Sequence, residues 1–159
     1  MTNKTGLIAI AMCLLALGAL TASAQSLKVD HFTQAELTQM AHAMDGKVQN
    51  GMASDDLSKY PNHFTMLILR NKNGGAELHE NFADFFVVVE GHATLVSGGT
   101  LKDPKTASPG EIRGTAVENG TKQTVSPGDV IHIPATLPHQ LLIADGDRFV
   151  YFVLKIKEK

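Results

Sequence analysis

Between His63 and Ile156 the sequence breaks into short apolar runs, each too short for a helix and each closed by turn-forming residues. His63–Arg70 is closed by Asn71-Lys72-Asn73-Gly74-Gly75. Ala76–Asn81 alternates, and Phe85–Val89 is continuously apolar, as in a strand buried on both faces. Gly91 ends that run, and Ala93–Ser97 resumes before Gly98-Gly99. Glu111–Glu118 and Thr121–Val125 flank Asn119-Gly120, a pair of residues that signals a tight hairpin. Val130–Ile133, His139–Ile143 and Arg148–Ile156 complete the series, the last entered through Asp145-Gly146. Lys102–Gly110, with Pro104 and Pro109, reads as an exposed loop. About eight short strands in roughly 100 residues predict an all-β sandwich or jelly-roll barrel.

One helix precedes the strands. Thr33 and Glu36 form a capping box, and Phe32 with Leu37 stand at the positions of a hydrophobic staple. Leu37, Met40, Ala41 and Met44 recur at helical spacing, and Gly46 ends the helix. From Gly46 to Lys59 the chain is polar and reads as irregular. At the start, one positive charge at Lys4 precedes an apolar run from Leu7 to Leu20, and Ala22-Ser23-Ala24 suits a signal peptidase. The expected organisation is a signal peptide over 1–24, an N-terminal helical segment over 25–59 and a β-barrel domain over 60–159. The expected location is periplasmic or secreted.

Composition narrows the function classes. The chain has 159 residues and a formal net charge of −2, which argues against nucleic acid as a partner and gives no polybasic patch for a membrane after cleavage. Its single cysteine, Cys13, falls in the signal segment, leaving no disulfide framework, no cysteine zinc site and no cysteine nucleophile. No Gly-x-Ser-x-Gly elbow is present, which argues against a serine hydrolase.

Two stretches carry the informative polar residues. On a strand, Glu77, His79 and Asn81 share one face. A carboxylate beside an imidazole in an apolar strand needs compensation, and a divalent metal supplies it. Strict alternation puts Asp84 on the opposite face unless the chain bends over Asn81–Ala83. In the second stretch, Pro134 and Pro138 fix a turn between strands and hold His139 at the start of the next one. His132, His63 and His92 read as hydrogen-bonded or exposed histidines. Glu111 and Arg113 share parity and could line a pocket, with a solvated pair as the default reading.

These stretches resemble the two motifs of the cupin superfamily, Gly-x5-His-x-His-x3-4-Glu-x6-Gly and Gly-x5-Pro-x-Gly-x2-His-x3-Asn. The second matches at Gly128, Pro134 and His139, with Thr136 replacing glycine and Ile143 replacing asparagine. In the first, counting back from Gly91 puts Asp84 at the glutamate position, His79 at the second histidine and Glu77 at the first. The leading glycine position falls on Asn71. The resemblance implies a double-stranded β-helix, the cupin jelly-roll barrel, holding one divalent metal ion (Fe, Mn or Zn). Its implied ligands are Glu77, His79, Asp84 and His139, with Asn81 as the alternative to Asp84. It also implies a homodimer, with the Thr33–Gly46 helix and the His63–Arg70 strand as contacts. The expected function is a metal-dependent oxygenase or isomerase acting on a small organic molecule. The alternative is a non-catalytic barrel that binds or senses a small molecule.

Overall fold

The computed structural model describes residues 29–158, so the expected signal peptide lies outside the described residues. The first element is helix α1, Gln34–Met44. Its capping box is closed in both directions: the Glu36 amide donates to Thr33 Oγ1 at 3.2 Å, and the Thr33 amide donates to Glu36 Oε2 at 2.7 Å. Leu37, Ala41 and Met44 are its buried stripe. No helix among the described residues is long and apolar enough to cross a membrane.

Among the described residues thirteen strands follow. They are β1 Met52–Lys59, β2 His63–Arg70, β3 Ala76–His79, β4 Phe82–Glu90, β5 Ala93–Ser97, β6 Thr100–Lys102 and β7 Lys105–Ser108. The rest are β8 Glu111–Gly114, β9 Ala116–Glu118, β10 Thr121–Val125, β11 Val130–Ile133, β12 His139–Leu142 and β13 Phe149–Lys157. One sheet runs β1-β2-β13-β4-β11 and the other β10-β5-β12-β3-β8-β7, with β6-β9 as a separate ribbon. Among the described residues every strand pair is antiparallel. The two sheets face each other, giving the all-β jelly-roll expected from the sequence, with α1, the one α-helix among the described residues, ahead of the strands.

Two apolar clusters hold these layers. Ile68, Phe86, Val88, Leu95, Leu141, Phe149, Tyr151 and Val153 fill the space between the sheets. Leu67, Leu69, Val89 and Val150, from the opposite face of the five-stranded sheet, pack under Leu37, Ala41 and Met44 of α1. Because α1 covers that outer face, β2 and β4 are apolar on both sides, which explains their continuous hydrophobic runs.

Three local expectations are corrected. The 25–59 segment is helical only at its start, since 52–59 forms β1 at the edge of the sheet, pairing with β2. Only Ala53 of β1 is buried, so an apolar signal was never required there. Within the loop expected over Lys102–Gly110, the fully exposed β7 pairs with β8. Asn119-Gly120 does not close a hairpin. β9 and β10 do not pair with each other; β9 pairs with β6 and β10 with β5, so these residues mark a bend shared by two long arms. The partner bend is at Gly98-Gly99, both at positive φ, where a Cβ on Gly99 would lie 2.1 Å from the Glu118 carbonyl oxygen.

Thr136 sits at φ 71 in the turn before β12, and its amide donates to the His79 carbonyl at 2.8 Å. A β-branched residue is strained in that region. The glycine that the resembled motif carries here would fit without a Cβ. Replacing Thr136 with glycine should raise the unfolding free energy by about 1 kcal/mol, the αL penalty less the added freedom of the unfolded chain. Thermal denaturation checks this, and a lowered midpoint would contradict it.

Candidate metal centre

The centre is assembled by cross-strand pairing. In the six-stranded sheet β3 lies between β12 and β8, placing His139 and Arg113 opposite Glu77, and Glu111 opposite His79. The facing sheet contributes β4 and β13, where Lys155 lies directly opposite Asp84. The chain crosses from one sheet to the other between His79 and Phe82, and this crossing resets the alternation. Asp84 therefore faces His79 across the barrel. Asn81 stays at the crossing, with its amide beside Gly110, and does not line the cavity.

Glu77, His79, Asp84 and His139 thus lie together. Glu77, His79 and His139 each offer a ligand atom within 4.8 Å of the others, an arrangement that can hold a metal ion. His79 Nε2 is 3.4 Å from Glu77 Oε2 and 3.5 Å from Asp84 Oδ2, and His139 Nε2 is 3.6 Å from the same Asp84 oxygen. Atoms sharing one ion at 2.0–2.2 Å in a tetrahedron stand about 3.3–3.6 Å apart. The donor set and its spacings therefore fit a divalent ion.

The outer partners of the imidazoles fit as well. His139 Nδ1–H donates to the Leu137 carbonyl at 3.1 Å, and His79 Nδ1–H donates to Glu111 Oε2 at 2.8 Å. Each bond turns an Nε2 towards the cavity, the usual arrangement of a ligating histidine. Burial lowers the pKa of His139 and keeps its Nε2 a lone-pair donor.

Cations already surround these groups. Glu77 is held by Arg70 Nη2 and Arg113 Nη1, each at 3.3 Å. Arg113 Nη2 also meets Glu111 at 3.0 Å. Lys155 Nζ reaches between the two sheets, 2.5 Å from Asp84 Oδ1 and 2.7 Å from His79 Nε2. Two N–H groups cannot meet at 2.7 Å, so in this arrangement the Lys155 ammonium donates to a bare Nε2 and carries the positive charge that Asp84 attracts.

Burial raises the pKa of both carboxyls, but their partners reverse the sign. The charges of Arg113 and Arg70 hold Glu77 well below its ordinary range, and Lys155 lowers Asp84. A folded-state pKa below the unfolded value stabilises the fold above the unfolded pKa, and that contribution is lost as pH falls through the folded value. The metal-free protein should therefore keep this contribution above about pH 5 and lose a few kcal/mol on acidification below pH 4. Urea denaturation across that range checks it, and a flat profile would contradict it.

The centre opens into a cavity of about 650 Å³ between the sheets. Phe64, Met66, Ile68, Phe82, Phe86 and Val153 are among its apolar walls, and Tyr151 and Arg70 lie on its polar side. Burial pushes the Tyr151 phenol up to about 12, so its hydroxyl stays neutral while accepting from Arg70 Nε at 3.2 Å.

Four contributors were not assigned to the centre from sequence. Glu111 and Arg113 both line the cavity and also pair with each other, with Arg113 still partly exposed. Arg70 and Lys155 carry a readable signal, since each continues the inward parity of its strand: Ile68 to Arg70, and Tyr151 through Val153 to Lys155. The other histidines lie outside the centre. His63 stacks on Tyr60, with ring centroids 4.6 Å apart; His92 bonds Ser126 at 3.1 Å; His132 is exposed beside Phe85.

No protein-family model and no curated protein matches the sequence. Solved structures share its fold. DMSP lyase DddQ from Ruegeria pomeroyi DSS-3 is 14% identical with TM-score 0.50, over 69% of this chain and 48% of that one. The polyketide cyclase RemF from Streptomyces resistomycificus is 19% identical with TM-score 0.50, over 67% of this chain and 66% of that one. KdgF from Halomonas sp. is 17% identical with TM-score 0.50, over 70% of this chain and 85% of that one. The chain spans about half the length of the lyase and just under two thirds of the cyclase.

Proposed function

In this chain, which has the cupin fold, we propose a metal-dependent enzyme acting on a small organic molecule, with His79, His139, Asp84 and Glu77 holding one divalent ion. The observation that carries this reading is the pair of inward Nε2 atoms flanking Asp84 Oδ2 where the apolar cavity begins. The names of the lyase and the cyclase support an enzyme on such a fold.

A bound ion would supply Lewis-acid or redox chemistry there, matching an isomerase or an oxygenase. The chain's own groups do the rest. Phe64, Phe82 and Phe86 exclude water and take the apolar body of the substrate. Glu111 fixes the ring orientation of His79, while Arg70 and Arg113 orient Glu77. Tyr151 offers a neutral hydroxyl beside Arg70.

The test is incubation of a metabolite extract with protein reloaded with iron, manganese or zinc, and with chelated protein, followed by NMR. Transformation only by a loaded form supports the enzyme. A compound retained unchanged by both forms favours the binding barrel, a reading that the Lys155 contact with His79 also supports.

We further propose export with cleavage after Ala24, and a homodimer. An intact mass that retains residues 1–24 would contradict the first. The second predicts a dimer mass in light scattering, with α1 as the candidate contact; β2, paired by β1 and β13 and covered by α1, has no free edge and is corrected as a contact.

A further inference from the structure

We propose that Lys155 is a resident counter-cation of the centre: its ammonium engages two of the groups that would hold a metal ion, and must leave for the ion to bind. This rests on the metal reading above and concerns how the site is loaded.

Lys155 Nζ contacts two of the same groups that face the ion position, Asp84 at 2.5 Å and His79 Nε2 at 2.7 Å. Its backbone leaves little choice, since Lys155 pairs directly with Asp84 across β13 and β4, on the inward face that Tyr151 and Val153 also use. The charges explain why a cation belongs there. Glu77, Asp84 and Glu111 bring three carboxylates; Arg70 and Arg113 are engaged with Glu77 and Glu111, leaving Asp84 to Lys155. Asp84 is 3% exposed, and an uncompensated carboxylate is costly at that depth. A flexible four-carbon stem suits a group that must also withdraw. Lys155 keeps 14% of its side-chain surface exposed, so the ammonium has a route towards the cavity water. Incoming metal and Lys155 therefore compete for one carboxylate and one imidazole lone pair.

The experiment is zinc titration by calorimetry of the wild-type protein and of Lys155→Met, which keeps the length and removes the charge. The variant should bind zinc at least about tenfold more tightly, because a unit charge at contact distance opposes the ion. Alongside it, reductive methylation of wild-type Lys155, read by peptide mass spectrometry, should increase when zinc saturates the site. Tighter binding in the variant together with zinc-dependent labelling supports displacement. If the wild type binds one zinc but Lys155→Met binds it equally or more weakly, the inference fails and the metal reading stands. If neither protein binds zinc, the metal reading itself fails and takes the inference with it. Should the variant not fold, labelling decides alone, and a rate unchanged by saturating zinc overturns the inference.

Discussion

Replacing His139 with alanine should reduce bound metal from one ion per chain to none at stoichiometric loading. His139 enters at the start of β12, fixed by the Pro134–Pro138 turn, with Nδ1 bonded to the Leu137 carbonyl and Nε2 aimed at Asp84. His79 arrives from β3 and Asp84 from the opposite sheet. No local segment contains a chelating set, so loss of one imidazole removes a ligand that no neighbour replaces. A fall in affinity of about a hundredfold or more is expected, as for loss of a primary ligand. His132→Ala, at an exposed position beside Phe85, should leave binding unchanged. Dialysis against zinc followed by elemental analysis reads both variants. Full occupancy in His139→Ala would remove His139 from the centre.

Asp84→Asn should destabilise the metal-free protein by about 3 kcal/mol, the lower end for a buried pair that loses one partner. The substitution keeps the volume and removes the charge, leaving Lys155, His79 and His139 to face one another without the anion between them. Partial exposure of Lys155 sets the lower end, because its ammonium can partly rehydrate. Adding Lys155→Met to Asp84→Asn should recover most of the loss, since the double variant buries no unpaired charge. Urea denaturation of the four proteins at neutral pH provides the cycle. A single-variant loss below about 1 kcal/mol would show that the pair is hydrated in solution.

β2 and β5 were legible because they bury most of their apolar side chains, whereas β10 and β11, with one buried residue each, were marked by the turn residues beside them, Asn119-Gly120 and Gly128. β2, β5, β10 and β11 fall at their expected bounds. β1 was not legible, because an edge strand with one buried residue has no need of apolar alternation. The Asn119-Gly120 reading failed on a different ground. The turn residue is in the expected left-handed conformation, but which strand lies beside which is decided by the close approach of Gly99 to Glu118.

The centre was partly legible too. Spacing put Glu77 and His79 on one face, and the proline-bounded turn marked His139. Parity alone opposed Asp84, because it assumes one unbroken strand, whereas the chain changes sheets between His79 and Phe82. The cations were harder to see. Arg70 and Lys155 terminate inward-facing rows, where a basic residue also suits a solvated strand end; only the assembled barrel shows that Arg70 meets Glu77 on the facing sheet and Lys155 meets Asp84 on the adjacent strand.

The most direct test is anomalous diffraction from crystals of the protein equilibrated with zinc. One peak per chain is expected between His79 Nε2, His139 Nε2 and the Asp84 carboxylate, with Lys155 Nζ withdrawn from both His79 and Asp84. The absence of a peak at that position under saturating zinc, or a peak held by residues outside the barrel, would contradict a metal centre in this chain.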